Sequence, residues 1–258
     1  MKSDKRILAL VLTVVFLAGW LSFAYYKFTN QILVIPINGE IVGFQATTFA
    51  LHQGKIDEHV KGIILYFNTP GGDAYACMEI AKYVAEVAKT KPVIAVMGPL
   101  CASGGYYIAS FAEYIFTHSN TITGSIGVIA VWVDRSQYYK QQGINITVWA
   151  TGSEKDMGAD WRPPTKEESE IINSTVYSIY QTLLTDIQRN RNLSQDTLDI
   201  VKTAATFSGT DAVQLHLADK VGDIIDAMEE AVRRTELWKF IIISSDMDNK
   251  ERFLTALF

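Results

Sequence analysis

Along the chain, unbroken apolar runs alternate with amphipathic stretches of helical period. Ile7–Tyr26 holds 20 residues without a charge, long enough to span a bilayer. Ile32–Ile37 and Gly62–Phe67 are apolar runs of strand length, the pattern of a sheet covered on both faces. Thr47–His59 between them predicts a helix. Asn68-Thr69-Pro70-Gly71-Gly72 predicts a turn, and Asp73 caps a helix running to about Lys89. Pro92–Met97 predicts a buried strand, ended by Gly98 and Pro99, and Ser103–Ala112 a small-residue helix. Tyr114–Thr117 and Ile144–Trp149 predict strands, and Asp134–Gln142 a helix ended by Gly143. Thr123-Gly124-Ser125-Ile126-Gly127-Val128 predicts a Gly/Ser-punctuated strand or turn, and Thr151–Pro164 a loop. Thr165 and Glu168 form a capping box for a helix reaching about Arg191. Its Ile171, Ile172, Val176, Ile179, Leu183, Leu184 and Ile187 recur at helical spacing. Short helices follow to about Arg234, and Trp238–Ile243 suggests a strand in a tail that is otherwise hard to read. Strands alternating with helices predict an α/β fold with a largely parallel sheet.

Composition sharpens this picture. The 258 residues, 48% hydrophobic, allow one large or two small domains with a sizeable core, and no repeat is visible. A net charge of −5 without a basic stripe argues against a nucleic-acid partner. Cys77 and Cys101 make no metal motif. A disulfide between them stays open outside the cytoplasm, but Cys101 reads better as a small core residue beside Ser103. Lys2, Lys5 and Arg6 precede the first apolar run, which leaves the N-terminus cytoplasmic and the chain after Lys27 outside. Ser22-Phe23-Ala24 offers a cleavage site, so a removed signal peptide is the alternative to an anchor. The run exceeds a typical h-region, which favours the anchor. Trp20 stands where a lipoprotein box would need cysteine, which excludes lipidation there.

Ser103 carries the candidate chemistry. A serine between a buried strand and a helix presents its hydroxyl near free backbone N–H groups that can bind an oxyanion. Such a hydroxyl needs a base. His52, His59, His118 and His216 all read as surface or ordinary packed residues. A desolvated lysine can serve instead. Lys155 is a candidate, and a solvated loop lysine between Glu154 and Asp156 is the plainer alternative. Gly104 supplies one oxyanion donor, and Gly71 or Gly72 a second. Cys101 replaces the first glycine of a G-x-S-x-G elbow, which argues against an ordinary α/β-hydrolase.

Four ordered motifs resemble the signal peptide peptidase A family (protease IV, the Ser–Lys peptidases of family S49) in its short, single-domain form. They are Asn68-Thr69-Pro70-Gly71-Gly72, Ala102-Ser103-Gly104-Gly105-Tyr106-Tyr107-Ile108-Ala109, Thr123-Gly124-Ser125-Ile126-Gly127-Val128, and Phe207-Ser208-Gly209 with Ala212 and Asp219. The resemblance covers about Ile32 to Val232 and implies a Clp/crotonase-like core. It implies Ser103 as nucleophile, Lys155 as general base, Ser125 holding the lysine amine, and Gly104 and Gly72 as oxyanion donors, with no metal or cofactor. Clp-type peptidases carry a histidine about 25 residues after the serine, where Val128 stands here.

The resemblance further implies a homo-oligomeric ring, expected to be octameric, with serine and lysine from adjacent subunits. Its substrates would be remnant signal peptides at the inner membrane, with the catalytic domain on the periplasmic side. The expected division is 1–27 cytoplasmic tip and anchor, 28–236 peptidase domain, and 237–258 tail. Two departures stand out. The family has glycine near His216, and the tail after Arg234 has no counterpart. An inactive membrane scaffold and a Clp-like quality-control peptidase are the alternatives. A crotonase-like acyl-CoA enzyme is disfavoured by the extracytoplasmic placement.

Overall fold

The apolar runs become the centre of one sheet. The computed structural model describes residues 2–235 and 242–244, with side chains from 10 to 235 except 24 and 26–29. β1 (Gln31–Asn38), β2 (Val60–Thr69) and β3 (Val93–Ala102) lie side by side and parallel. β4 (Tyr114–Thr117) pairs the first part of β3, and β5 (Ile122–Gly124) pairs its end. β6 (Thr206–Ser208) runs antiparallel to β5. β7 (Lys220–Val221) is parallel to β4, and β8 (Ile242–Ser244) to β1. The main order is β6-β5-β3-β2-β1-β8. The mixed α/β fold with a largely parallel sheet is therefore as the sequence predicts.

The helices are α1 (Lys2–Thr29), α2 (Gln45–Ile56), α3 (Ala74–Ala88), α4 (Gly104–Ala109), α5 (Ser136–Gln141), α6 (Lys166–Arg191), α7 (Gln195–Val201), α8 (Gly209–Gln214) and α9 (Ile224–Thr235). Strand alternation sends Ile63 and Leu65 to one face and Ile64 to the other. The first face packs with Leu51, Ile80, Val84 and Ile108 from α2, α3 and α4. The second packs with Ala227, Met228 and Ala231 of α9. Both expected caps form: Asp73 Oδ1 accepts the Ala76 N–H at 2.8 Å, and Thr165 and Glu168 make a reciprocal capping box.

Several elements depart from the sequence reading. β3 does not stop at Gly98 and Pro99. It shifts register there, pairing Phe67 with Met97 and then Thr69 with Cys101. The Thr121 hydroxyl lies 3.0 and 2.8 Å from the Met97 and Gly98 carbonyls, so its one proton is donated to one of them at a time across the irregularity. A proline is tolerated at such a point because no ladder donor is needed. Helix α2 ends at Ile56 rather than His59, and Lys91 Nζ donates to the Gly54 and Asp57 carbonyls, both at 2.6 Å. Segment 144–149 is not a strand. Ile144, Ile146 and Val148 alternate as expected, but no strand pairs them and all three are exposed. Cys77 and Cys101 are buried free thiols, so the disulfide is absent.

Helix α1 contains the charge-free run of the sequence. Among the described residues, no helix is long and apolar enough to cross a membrane. Of the tail's expected strand, β8 lies among the described residues and Trp238–Ile241 outside them.

Candidate active site

Ser103 is set by two strands that end together. Cys101 pairs Thr123 and Ala102 pairs Gly124, and the Ser103 N–H then donates to the Gly124 carbonyl at 2.8 Å. The Thr123 hydroxyl donates to the Cys101 carbonyl at 2.6 Å and holds the pair in register. Past this point both chains turn sharply: Ser103 has φ 53° and Ser125 φ 48°. A residue with a Cβ is held there against about 1–2 kcal/mol. Such strain gathers at functional turns, as in the strand-to-helix elbow of hydrolases. Ser103 precedes α4 but its hydroxyl does not cap the helix.

Two amides converge on this turn. Gly104 opens α4, so its N–H has no acceptor within the helix. Gly72 forms an isolated parallel bridge with Ile41. The Ile41 N–H donates to the Gly71 carbonyl at 2.8 Å and the Asp73 N–H to the Ile41 carbonyl at 2.7 Å. Those bonds use the groups on either side of Gly72 and leave its own N–H facing away from Ile41. The approach is close. A Cβ on Gly104 would lie 2.3 Å from Cys77 Sγ and 3.6 Å from the Gly72 nitrogen. A Cβ on Gly71 would lie 2.8 Å from the Gly104 nitrogen.

Ser103, Gly104, Gly72 and Ser125 share a cleft of about 800 Å³. Its other walls are largely apolar: Val128, Ile129 and Met157 with Ile171, Val176, Ile179 and Leu183 of α6. The amphipathic face of α6 is thus divided, with Leu183, Leu184 and Ile187 buried in the core and the earlier turns lining the cleft. Burial, with a smaller contribution from Asp73, pushes the Cys77 thiol up to about 12. It is therefore a neutral wall group at physiological pH.

Lys155 is not brought to these residues within the chain. It lies in the turn-rich stretch 151–158, is exposed, and does not line the cleft, although Met157 does. Its ammonium makes no hydrogen bond or ion pair among the described residues. The four histidines are all exposed and none lines the cleft.

Sequence reading missed Arg162. Its guanidinium donates to both Asp156 oxygens, at 3.1 and 2.6 Å, and to both Glu168 oxygens, at 2.7 and 2.6 Å. The hydrogen bonds from Arg162 hold both carboxyls below their ordinary range, and the two carboxylates raise the arginine. Arg162 stands six residues from each partner, a spacing without periodicity. Only the flanking acids and the capping box hinted at it.

The Peptidase family S49 profile matches residues 85–237. A provisionally named protease of Methanocaldococcus jannaschii is 37% identical over 177 residues, 67% of this chain and 56% of that protein. A protein of Enterococcus faecium with the provisional name signal peptide peptidase SppA is 31% identical, over 74% of this chain and 56% of its own. Protease 4 of Haemophilus influenzae is also 31% identical, over 80% and 35%. The chain thus spans about half, or less, of the length of these relatives. Among solved structures, a variant of the 1510-N membrane-bound stomatin-specific protease shares the fold, with a TM-score of 0.50 and 18% identity over 79% of this chain and 84% of that one.

Proposed function

The chain belongs to peptidase family S49, and from that membership we propose a membrane-anchored serine endopeptidase that uses a Ser–Lys dyad to degrade remnant signal peptides. One observation carries the reading. A strained serine, a second strained serine and two free glycine amides line one cleft that no histidine reaches.

In the proposed reaction Ser103 Oγ attacks the scissile carbonyl while Lys155 Nζ takes its proton. The N–H groups of Gly104 and Gly72 stabilise the oxyanion. The protonated lysine then gives its proton to the leaving amine, and the same amine activates the water that hydrolyses the acyl-enzyme. Ser125 holds the lysine amine. A lysine in water keeps its proton at neutral pH, so a base must be desolvated. Lys155 is exposed in the single subunit, and the reading therefore requires a second subunit to cover it. Exposed Val131, Val133, Ile146, Val148 and Trp149, in segments without strand partners, favour such a homo-oligomeric ring.

The substrate class rests on the apolar cleft and on the name carried by the Enterococcus faecium relative. The inner-membrane anchor, with the catalytic domain outside the cytoplasm, rests on residues 7–26. Their support is the sequence alone, 20 residues without a charge. The test is cleavage of an apolar signal-peptide library by the full chain in detergent, read by mass spectrometry. Ser103→Ala and Lys155→Ala should each abolish cleavage. Activity retained by Lys155→Ala would refute the dyad.

A further inference from the structure

We infer that Arg162 is a positioning residue that sets the reach of the Lys155 amine, clamping the residue beside it to the helix that walls the cleft; this rests on the reading of Lys155 as the base.

A general base must lie within hydrogen-bond reach of the proton it takes. Lys155 begins from a poor position for that. It sits in a stretch of turns, on a side chain with four rotatable carbons, and its ammonium has no partner among the described residues. What is held is the next residue, Asp156, whose two oxygens are both taken by Arg162. The other side of the same guanidinium grips both oxygens of Glu168, which is fully buried in the first turn of α6. Glu168 also accepts the Thr165 N–H at 2.8 Å, so the anchor point is part of the helix cap.

The clamp has a second attachment. The Trp132 indole N–H donates to the Arg162 carbonyl at 3.1 Å, and the guanidinium lies 5.7 Å from the centre of that ring. Trp132 follows the stretch 127–130 that forms part of the cleft wall. The lysine loop is thereby fixed to two elements of its own subunit, α6 and the stretch ending at Trp132, through one arginine. Lysine could not replace it, because a single ammonium cannot make two planar forks at once.

The experiment uses the full chain in detergent and a fluorogenic apolar peptide, with kcat, KM and the pH profile of kcat measured for each variant. Arg162→Ala and Arg162→Lys should lower kcat on the order of 100-fold, as expected for a misplaced catalytic group, with little change in KM. Both should also shift the ascending, acidic limb of the pH profile, where the base loses its proton. Added to Lys155→Ala, Arg162→Ala should cause no further loss. Where Arg162→Ala does not fold, Asp156→Asn gives the same readout, since it keeps the volume and removes the charge. If Lys155→Ala is inactive while the folded arginine or aspartate variant keeps the native kcat and pH profile, the clamp is refuted. A fall in kcat with an unmoved pH profile also refutes it, because that is the mark of a purely structural role. Activity retained by Lys155→Ala is a separate outcome that removes the base itself.

Discussion

Ser103 and Ser125 directly follow neighbouring parallel strands and both hold a positive φ, and the Ser103 N–H donates to the Gly124 carbonyl at 2.8 Å. Two β-carbons are thus strained one step past the same rung of the sheet. Strain of this kind persists only where the surrounding structure over-determines it.

Ser125→Gly separates strain from chemistry. Glycine accepts the positive φ, so the variant should gain about 1 kcal/mol of stability. Loss of the hydroxyl should lower kcat by roughly 10- to 100-fold, as expected when a catalytic group is poorly held. Thermal melting and peptide kinetics read the two effects. Full activity would remove Ser125 from the mechanism.

Gly104→Ala tests the close approach of α4 to α3. The new methyl would meet Cys77 Sγ at 2.3 Å, so the variant should lose about 1–3 kcal/mol and most activity. Cys77→Ala removes that sulfur and should restore folding of the double variant. The two changes should be strongly non-additive in denaturant melts. Additive losses would mean that the contact is not the cause.

His216→Gly should stabilise the chain without changing its activity. His216 has φ 57°, is exposed and does not line the cleft. Relief of a left-handed residue is worth about 1 kcal/mol, a rise of roughly 2–4 °C in Tm. An unchanged or lower Tm would show that the histidine is not strained.

Acid should loosen the loop that carries Lys155. Asp156 and Glu168 are held below their ordinary range chiefly by hydrogen bonds from Arg162. The folded state therefore binds fewer protons than the unfolded one in this range, and stability rises with pH there. The contribution is complete above about pH 5 and is lost as pH falls through and below the ordinary carboxylate range near 4. Denaturation as a function of pH should show this slope reduced in Asp156→Asn. An identical slope would show that the pair contributes nothing.

Assembly is open to a direct test. Trp149 is 89% exposed, and Val131 is also exposed. Trp149→Asp or Val131→Asp should reduce the mass found by light scattering in detergent and, with it, peptide cleavage. A native mass with either substitution would exclude these segments from the interface.

The legible parts of this fold are those decided locally. Apolar runs gave β1 and β2, Asp73 and Thr165 announced their helices, and the Ser103 turn was visible from its flanking residues. The less legible parts depend on partners distant in sequence. Gly98 and Pro99 look like a strand end, yet pairing with β5 carries β3 on to Ala102. Residues 144–149 have the alternation of a strand, but alternation does not supply a neighbour. Arg162 sits in a stretch without periodicity, and its value lies in joining Asp156 to Glu168. The positive φ of Ser125 follows from the pairing of β3 with β5 and left only a Gly/Ser-rich signature in the sequence.

The bridge between Ile41 and Gly72 has a thermodynamic consequence. Two backbone hydrogen bonds hold the chain on either side of the Gly72 amide before any peptide arrives. In the proposed reaction the Gly72 N–H is a donor already aimed at developing negative charge, which needs no dipole reorganisation as the barrier is crossed. The entropy of orienting that amide is spent when the chain folds, so each turnover starts from a dipole already in place. In the proposed reaction, loosening residues 39–41 should then raise the activation barrier by releasing the Gly72 amide.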